Sequence, residues 1–222
     1  MQYGELLIPK HIQGISVDLW GTLFFDSHYA DNLQKSRIIL LAEKARVWKC
    51  DLNEPPLDKM VAEKKRFLES EKSGDFLPLF ERVSFLTEYK ISKEQTQEFM
   101  HELALVSTKF VPELNVKLVD RLKSVKHKYK LALISNTGMI SAADTRKMIK
   151  QMGIDELFDE LIFSEELLLC KPSPAVYHEA SRRLNIPVFC LLHIGDSYQN
   201  DYIAALDAGC NALWFSGKKY ER

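Results

Sequence analysis

Asp18, Ser135, Asn136, Lys171, Asp196 and Asp201 are the positions at which this sequence could do chemistry, and each sits at or just beyond the end of an apolar run. Asp18 closes Ile15-Ser16-Val17, Ser135-Asn136 follows Leu131-Ala132-Leu133-Ile134, and Asp196 follows Leu191-Leu192-His193-Ile194-Gly195. Taken singly, each has an ordinary explanation: Ser-Asn is turn chemistry, Lys-Pro is a solvated loop, and Asp opens a helix as a cap. Taken together, they bring three carboxylates, one lysine and hydroxyl and amide donors to one place. Like charges that close raise one another's pKa unless a cation intervenes. A single lysine is a meagre counterweight, and oxygen-rich coordination that retains water and a substrate phosphate is what Mg²⁺ prefers. The lysine, as a point charge, and the serine hydroxyl, as a donor, suit a bound anion.

The elements that must position these groups are of two kinds. Residues 14–20, 130–135, 159–164, 189–195 and 211–215 are short and rich in Val, Ile, Leu and Phe, as buried parallel strands are. The last four alternate with helical patterns at 140–152, 173–185 and 199–208. That alternation predicts an α/β fold with a doubly wound, Rossmann-like parallel sheet, whose ligands bind beyond the carboxyl ends of the strands. Between the first two strands the pattern is almost wholly helical, at 28–48, 57–72, 78–90 and 93–106, with Ser92 and Gln95 forming a capping box. This exceeds a normal crossover and predicts an all-helical domain, residues 26–107, inserted into a core made of residues 1–25 and 108–222. A core helix near 113–127 carries the chain back.

The 222 residues are 46% hydrophobic and 27% charged, with net charge −1. That gives a sizeable core and no electrostatic case for nucleic acid or an anionic membrane as partner. The first residues lack a basic stretch followed by an apolar one, and no apolar run is long enough to span a bilayer. A cytoplasmic protein is expected. Cys50, Cys170, Cys190 and Cys210 form no C-x-x-C pair, so zinc and redox motifs are unsupported. Cys190 and Cys210 read as small core residues, while Cys170 adjoins Lys171.

Asp18-Leu19-Trp20-Gly21-Thr22-Leu23, Ser135-Asn136, Lys171-Pro172 with Tyr177, and His193-Ile194-Gly195-Asp196-Ser197-Tyr198-Gln199-Asn200-Asp201 resemble, in order, the four motifs of the haloacid dehalogenase-like (HAD) hydrolases. The likeness covers nearly the whole chain, and the helical insert corresponds to that family's mobile cap. The resemblance implies that Asp18 is a nucleophile forming an aspartyl intermediate, with Ser135 and Lys171 assisting. It also implies that Trp20, Thr22, Ser135, Asn136 and Lys171 surround the substrate phosphate. Mg²⁺ would be held by Asp18, Asp196 and the main-chain carbonyl of Trp20, with Asp201 acting at one remove. The family's phosphatases carry a second aspartate where Trp20 stands, as general acid and base. An indole N–H only donates and does not titrate usefully, so that tool is missing; His28 is a substitute by proximity.

The expected function is a Mg²⁺-dependent phosphatase acting on a small phosphorylated metabolite. The alternative is a metal-independent 2-haloacid dehalogenase, which carries an aromatic residue at the position of Trp20. Asp196 weighs against it, as does the lack of an evident arginine for the substrate carboxylate: Arg37, Arg46 and Lys49 read as a solvated helix face. A ligand-sensing or partner-binding module that keeps only the fold ranks third. Phe24, Phe25, His28 and Tyr29 are expected to line the substrate cavity. Phe67, Phe80 and Phe85 are expected in the core of the insert and Trp214 in that of the sheet, with hinges near Phe24–Asp26 and Ser107–Pro112.

Overall fold

The computed structural model describes residues 8–25 and 29–215. Its elements run β1 (Gly14–Val17), β2 (Phe24–Phe25), α1 (Tyr29–Val47), α2 (Pro56–Lys72), α3 (Leu79–Leu86), α4 (Lys93–Thr108), β3 (Glu113–Leu114) and α5 (Val116–Val125). They continue with β4 (Lys130–Ser135), α6 (Ala142–Gln151), β5 (Glu160–Phe163), α7 (Ser164–Leu167), α8 (Pro174–Leu184), β6 (Leu191–Gly195), α9 (Ala204–Asp207) and β7 (Asn211–Trp214). Five strands form one parallel sheet in the order β5-β4-β1-β6-β7. The chain fills one side of β1 with β4 and β5, then crosses to the other side for β6 and β7. The strand order therefore reverses at β1, the place where an open α/β sheet leaves a crevice.

Alternation along the strands separates two apolar layers. Leu131 and Leu133 point into a cluster with Val17, Val119, Ile149 and Phe163. Ala132 and Ile134 point into another with Tyr177, Ala180, Leu191 and Ala205. The helices between β2 and β3 have their own core, with Leu41, Val83, Leu86, Phe99 and Leu103 fully buried. Each such side chain contributes about 1.5–3 kcal/mol on burial. β2 and β3 pair antiparallel, Phe24 with Leu114 and Phe25 with Glu113, and clasp the two ends of this insert together. The Ser92–Gln95 capping box opens α4 as the sequence predicts.

Several side chains lie elsewhere than expected. Phe24 is fully buried in the sheet core rather than lining a cavity, because it is held by the tight turn after β1. Phe25 is half-buried and stacks on Phe215. Trp214 is 49% exposed because β7 is an edge strand, and its indole N–H donates to the Asp196 carbonyl at 2.8 Å. Phe80 and Phe85 are only half-buried, Phe85 lying against Lys59 and Arg66. Arg37 leaves the solvated face because it shares the inward stripe of α1 with Leu33 and Leu41, whereas Arg46 and Lys49 are exposed. The helix expected at 199–208 begins as a π-helical turn over Tyr198–Ile203 before α9. Such wider turns are frequent at functional sites. Asp26 and His28 lie outside the described residues, as does the side chain of Tyr29. No helix among the described residues is long and apolar enough to cross a membrane.

Candidate active site

Asp18 leaves β1 where its backbone N–H still donates to the Ile194 carbonyl of β6 at 2.9 Å. The chain then turns sharply. The Gly21 N–H donates to the Phe24 carbonyl at 2.8 Å, and Gly21 adopts φ +83°. A Cβ at this glycine would stand 2.2 Å from Asp196 Oδ2, so the site needs both the left-handed backbone and the missing side chain. Asn115 fastens the turn from outside, its amide donating to the Thr22 carbonyl at 3.0 Å while its Oδ1 caps α5.

Lys171 is the hub. Its ammonium lies 2.6 Å from Asp18 Oδ1 and 2.5 Å from Asp201 Oδ1, and it is 2% exposed. Burial alone would lower its pKa, but the two carboxylates override that and hold it well above the usual lysine range. The carboxylates differ in how fully they are used. Asp201 accepts from Lys171 and His193 on Oδ1 and from the Ser197 N–H on Oδ2. Burial pushes its pKa up, but Lys171 and His193 more than offset this and hold it below the ordinary range. Asp18 is bonded only through Oδ1, and its buried Oδ2 has no hydrogen-bond partner among the described residues. Burial raises Asp18 from 3.8 to about 7 against the pull of Lys171. Asp196, half-buried, is raised by burial and then by Asp201. Oxygens of Asp18, Asp196 and Asp201 all lie within 4.8 Å of one another.

The remaining expected site residues divide. Trp20 and Asn136 line a cavity of about 410 Å³ together with Asp18, Lys171, Asp196 and Asp201. Ser135 and Thr22 do not. Ser135 is buried, and its hydroxyl donates to the Asn136 carbonyl at 3.4 Å. Thr22 is buried beneath Asp196, its hydroxyl 3.5 Å from Oδ1. Asn136 grips the lysine loop: its Oδ1 accepts from the Lys171 N–H at 2.9 Å and its Nδ2 donates to the Lys171 carbonyl at 2.9 Å. Cys170 is buried beside this loop, donates to the Asp75 carbonyl at 3.3 Å, and has its thiol pushed up to about 12 by burial and then Glu71. It is therefore inert as a nucleophile.

The far wall comes from the helical insert. Met60, Glu63, Lys64, Phe67 and Glu71 of α2 face the cavity, with Leu33, Gln34 and Arg37 of α1. Phe67 is thus a wall residue rather than core, and the guanidinium of Arg82 lies 3.8 Å from its ring centre. Arg82 is also paired with Glu63 at 2.5 Å, both buried. Arg37 donates to Ser107 Oγ and the Met139 carbonyl, both at 3.1 Å. Sequence reasoning passed over His193 and Glu71. His193 had a signal, a polar ring inside an apolar strand. In the sheet it lies opposite Ser16, whose hydroxyl is 2.8 Å from Nδ1, and its Nε2 meets Asp201. Glu71 had none, because the inward face of α2 mixes charged and apolar residues.

The family model for haloacid dehalogenase-like hydrolases matches residues 12–209. A glyceraldehyde 3-phosphate phosphatase of Methanopyrus kandleri is 25% identical over 210 residues, 95% of this chain and 86% of that protein. A phosphoglycolate phosphatase of Neisseria meningitidis is 39% identical over 80 residues, which span 36% of this chain and 32% of that protein. A 2-haloacid dehalogenase from Pseudomonas syringae pv. Tomato shares the fold with TM-score 0.70 at 21% identity, covering 95% of this chain and 90% of that one. With β1, the lysine loop and the paired aspartates all inside the matched span, the chain belongs to the haloacid dehalogenase-like hydrolases.

Proposed function

We propose that this hydrolase is a Mg²⁺-dependent phosphatase for a small phosphorylated metabolite, with residues 26–107 as a cap over the core of residues 1–25 and 108–222. The observation that carries this reading is Asp18 Oδ2, a buried carboxylate oxygen with no hydrogen bond among the described residues, in a cluster of three carboxylates served by one lysine. The donor set fits a hard divalent cation: clustered carboxylate oxygens, and a glycine turn that leaves Asp196 uncrowded. Asp18, Asp196 and the Trp20 carbonyl would hold Mg²⁺, and Asp201, already saturated by Lys171, His193 and Ser197, would act through water. When bound, the cation neutralises the carboxylates and polarises the phosphoryl oxygens.

Asp18 attacks phosphorus and the alcohol departs, leaving an aspartyl-phosphate that water then hydrolyses. Lys171 holds a phosphoryl oxygen as a fixed charge, and Asn136 fixes the lysine loop by gripping both its N–H and its carbonyl. Ser135 joins as a donor once its hydroxyl rotates from the Asn136 carbonyl, while Thr22 steadies Asp196. Phosphatases among the relatives support this substrate class. The dehalogenase reading has one foothold, Arg37 on the cavity wall, but three carboxylates without a cation would repel a haloacid anion.

The deciding measurement compares phosphate release from an activated aryl phosphate, with Mg²⁺ and with chelator, against halide release from a 2-haloacid. Mg²⁺-dependent phosphate release is expected; chelator-resistant halide release without phosphatase activity would overturn the assignment.

A further inference from the structure

Trp20 cannot give or take a proton in the useful range, so an alkyl phosphate needs another group to protonate its leaving oxygen. We infer that Glu71, on the insert side of the cavity, is that group: it protonates the departing alkoxide and then accepts the proton of the attacking water. This rests on the phosphatase reading above.

Geometry is the first support. Glu71 lines the same cavity as Asp18 and Trp20, in the last turn of α2. Its Oε1 accepts from Asn136 Nδ2 at 2.7 Å. The Asn136 orientation is fixed, because its Oδ1 already accepts from the Lys171 N–H. Oε1 is therefore an acceptor, and Oε2, with no hydrogen bond among the described residues, is left to carry a proton.

Placement is the second support. The end of α2 is stitched to the lysine loop at several points. Asp75 bridges to Leu169, Cys170 donates to the Asp75 carbonyl at 3.3 Å, and Gly74, at φ +75°, packs beside Ser173. A group held this way keeps its position relative to Asp18 without depending on the distant clasp of β2 and β3. Electrostatics agree. Burial raises the Glu71 pKa, and Asp201 adds to this; Asn136, Lys171 and Arg82 oppose it. The negative end of the α2 dipole also favours the neutral acid. Other charged and titratable groups lining the same cavity are Asp18, Arg37, Glu63, Lys64 and Asp196, with Cys170 across the loop.

The steps balance. As Asp18 bonds to phosphorus and the ester P–O bond breaks, the alkoxide takes the Glu71 proton and leaves as an alcohol. Glu71, now a carboxylate, takes a proton from water as its oxygen attacks the aspartyl-phosphate. Phosphate departs, Asp18 is restored and Glu71 is again protonated.

The test is Glu71→Gln, which keeps an oxygen for Asn136 and removes the proton chemistry. First-turnover alcohol release and later turnover are followed for an alkyl phosphate and for an activated aryl phosphate. The expected result is a loss of about 10²–10⁴-fold in first-turnover release from the alkyl phosphate. With the aryl phosphate a stoichiometric burst should survive, followed by slowed turnover as the aspartyl-phosphate waits for a base. A latch role alone would slow both substrates alike, with no retained burst, and that outcome overturns the assignment of Glu71. So does undiminished hydrolysis of the alkyl phosphate. If the wild-type protein releases phosphate from neither, the phosphatase reading itself falls and this inference with it.

Discussion

Asp18 and Trp20 are two residues apart and answer different questions. Asp18 is buried and half-bonded, with Lys171 on one oxygen and nothing described on the other. That is how a nucleophile can be held in position without being quenched. Trp20 lines the cavity and packs edge-on against Phe24, with ring centres 5.5 Å apart, so its bulk helps to shape the space for a leaving group. Trp20→Asp would place a carboxyl on the same turn and supply a second proton donor. We expect turnover of unactivated phosphomonoesters to rise relative to an activated aryl phosphate, toward the roughly 10²-fold that a modest general acid contributes. Steady-state kinetics on both substrates check this; an unchanged or lower ratio in a well-folded variant would show that a second donor at position 20 adds nothing to leaving-group protonation.

At the scale of elements, the turn between β1 and β2 does the most with the least sequence. It carries Asp18 out of the sheet, brings Trp20 to the cavity wall and leads into the helical insert within a few residues. Gly21 makes this possible by its positive φ and by the space it leaves beside Asp196. Gly21→Ala should cost about 1–3 kcal/mol from backbone strain alone, and should also displace Asp196 and so weaken the proposed binding of Mg²⁺. Denaturant unfolding and titration calorimetry measure the two effects; wild-type values in both would contradict the role given to this turn. Helix α2 is the second decisive element. Its register sends residues 60, 63, 64, 67 and 71 to one face, which is why a helix far from β1 in sequence supplies much of the cavity wall.

The whole molecule stores an electrostatic imbalance in its crevice, and that makes stability depend on pH in a definable direction. Asp18 is raised from 3.8 to about 7, mainly by burial, and Glu71 and Asp196 are raised in the same sense. Between those limits these three groups bind more protons in the folded protein than in the unfolded chain, so without a cation their contribution to stability should fall as pH rises through the window, opposed by buried His193, whose pKa is lowered. Asp201 is shifted down, and its contribution is lost only as pH falls below the ordinary carboxylate range. The proposed Mg²⁺ would bind the ionised form, so its stabilising effect should grow across the same window. Thermal melts with chelator and with Mg²⁺ at several pH values test this. A chelated protein that gains stability from acid to neutral pH would show that the three carboxylates are not the dominant charges.

The sequence alone determined the order of strands and helices, the helical insert and the edge at which Asp18, Lys171, Asp196 and Asp201 meet. Those properties follow from local apolar periodicity and from the rule that parallel strands present their carboxyl ends together. Which side chains of the insert face the cavity, that Ser135 and Thr22 are buried beneath it, that Trp214 is exposed on an edge strand, and that Glu71 meets Asn136 were decided only by tertiary packing. These depend on helix rotation and on contacts between residues such as Glu71 and Asn136, 65 positions apart in the chain. A helix whose inward face is half charged carries no hydrophobic stripe from which its rotation could be read.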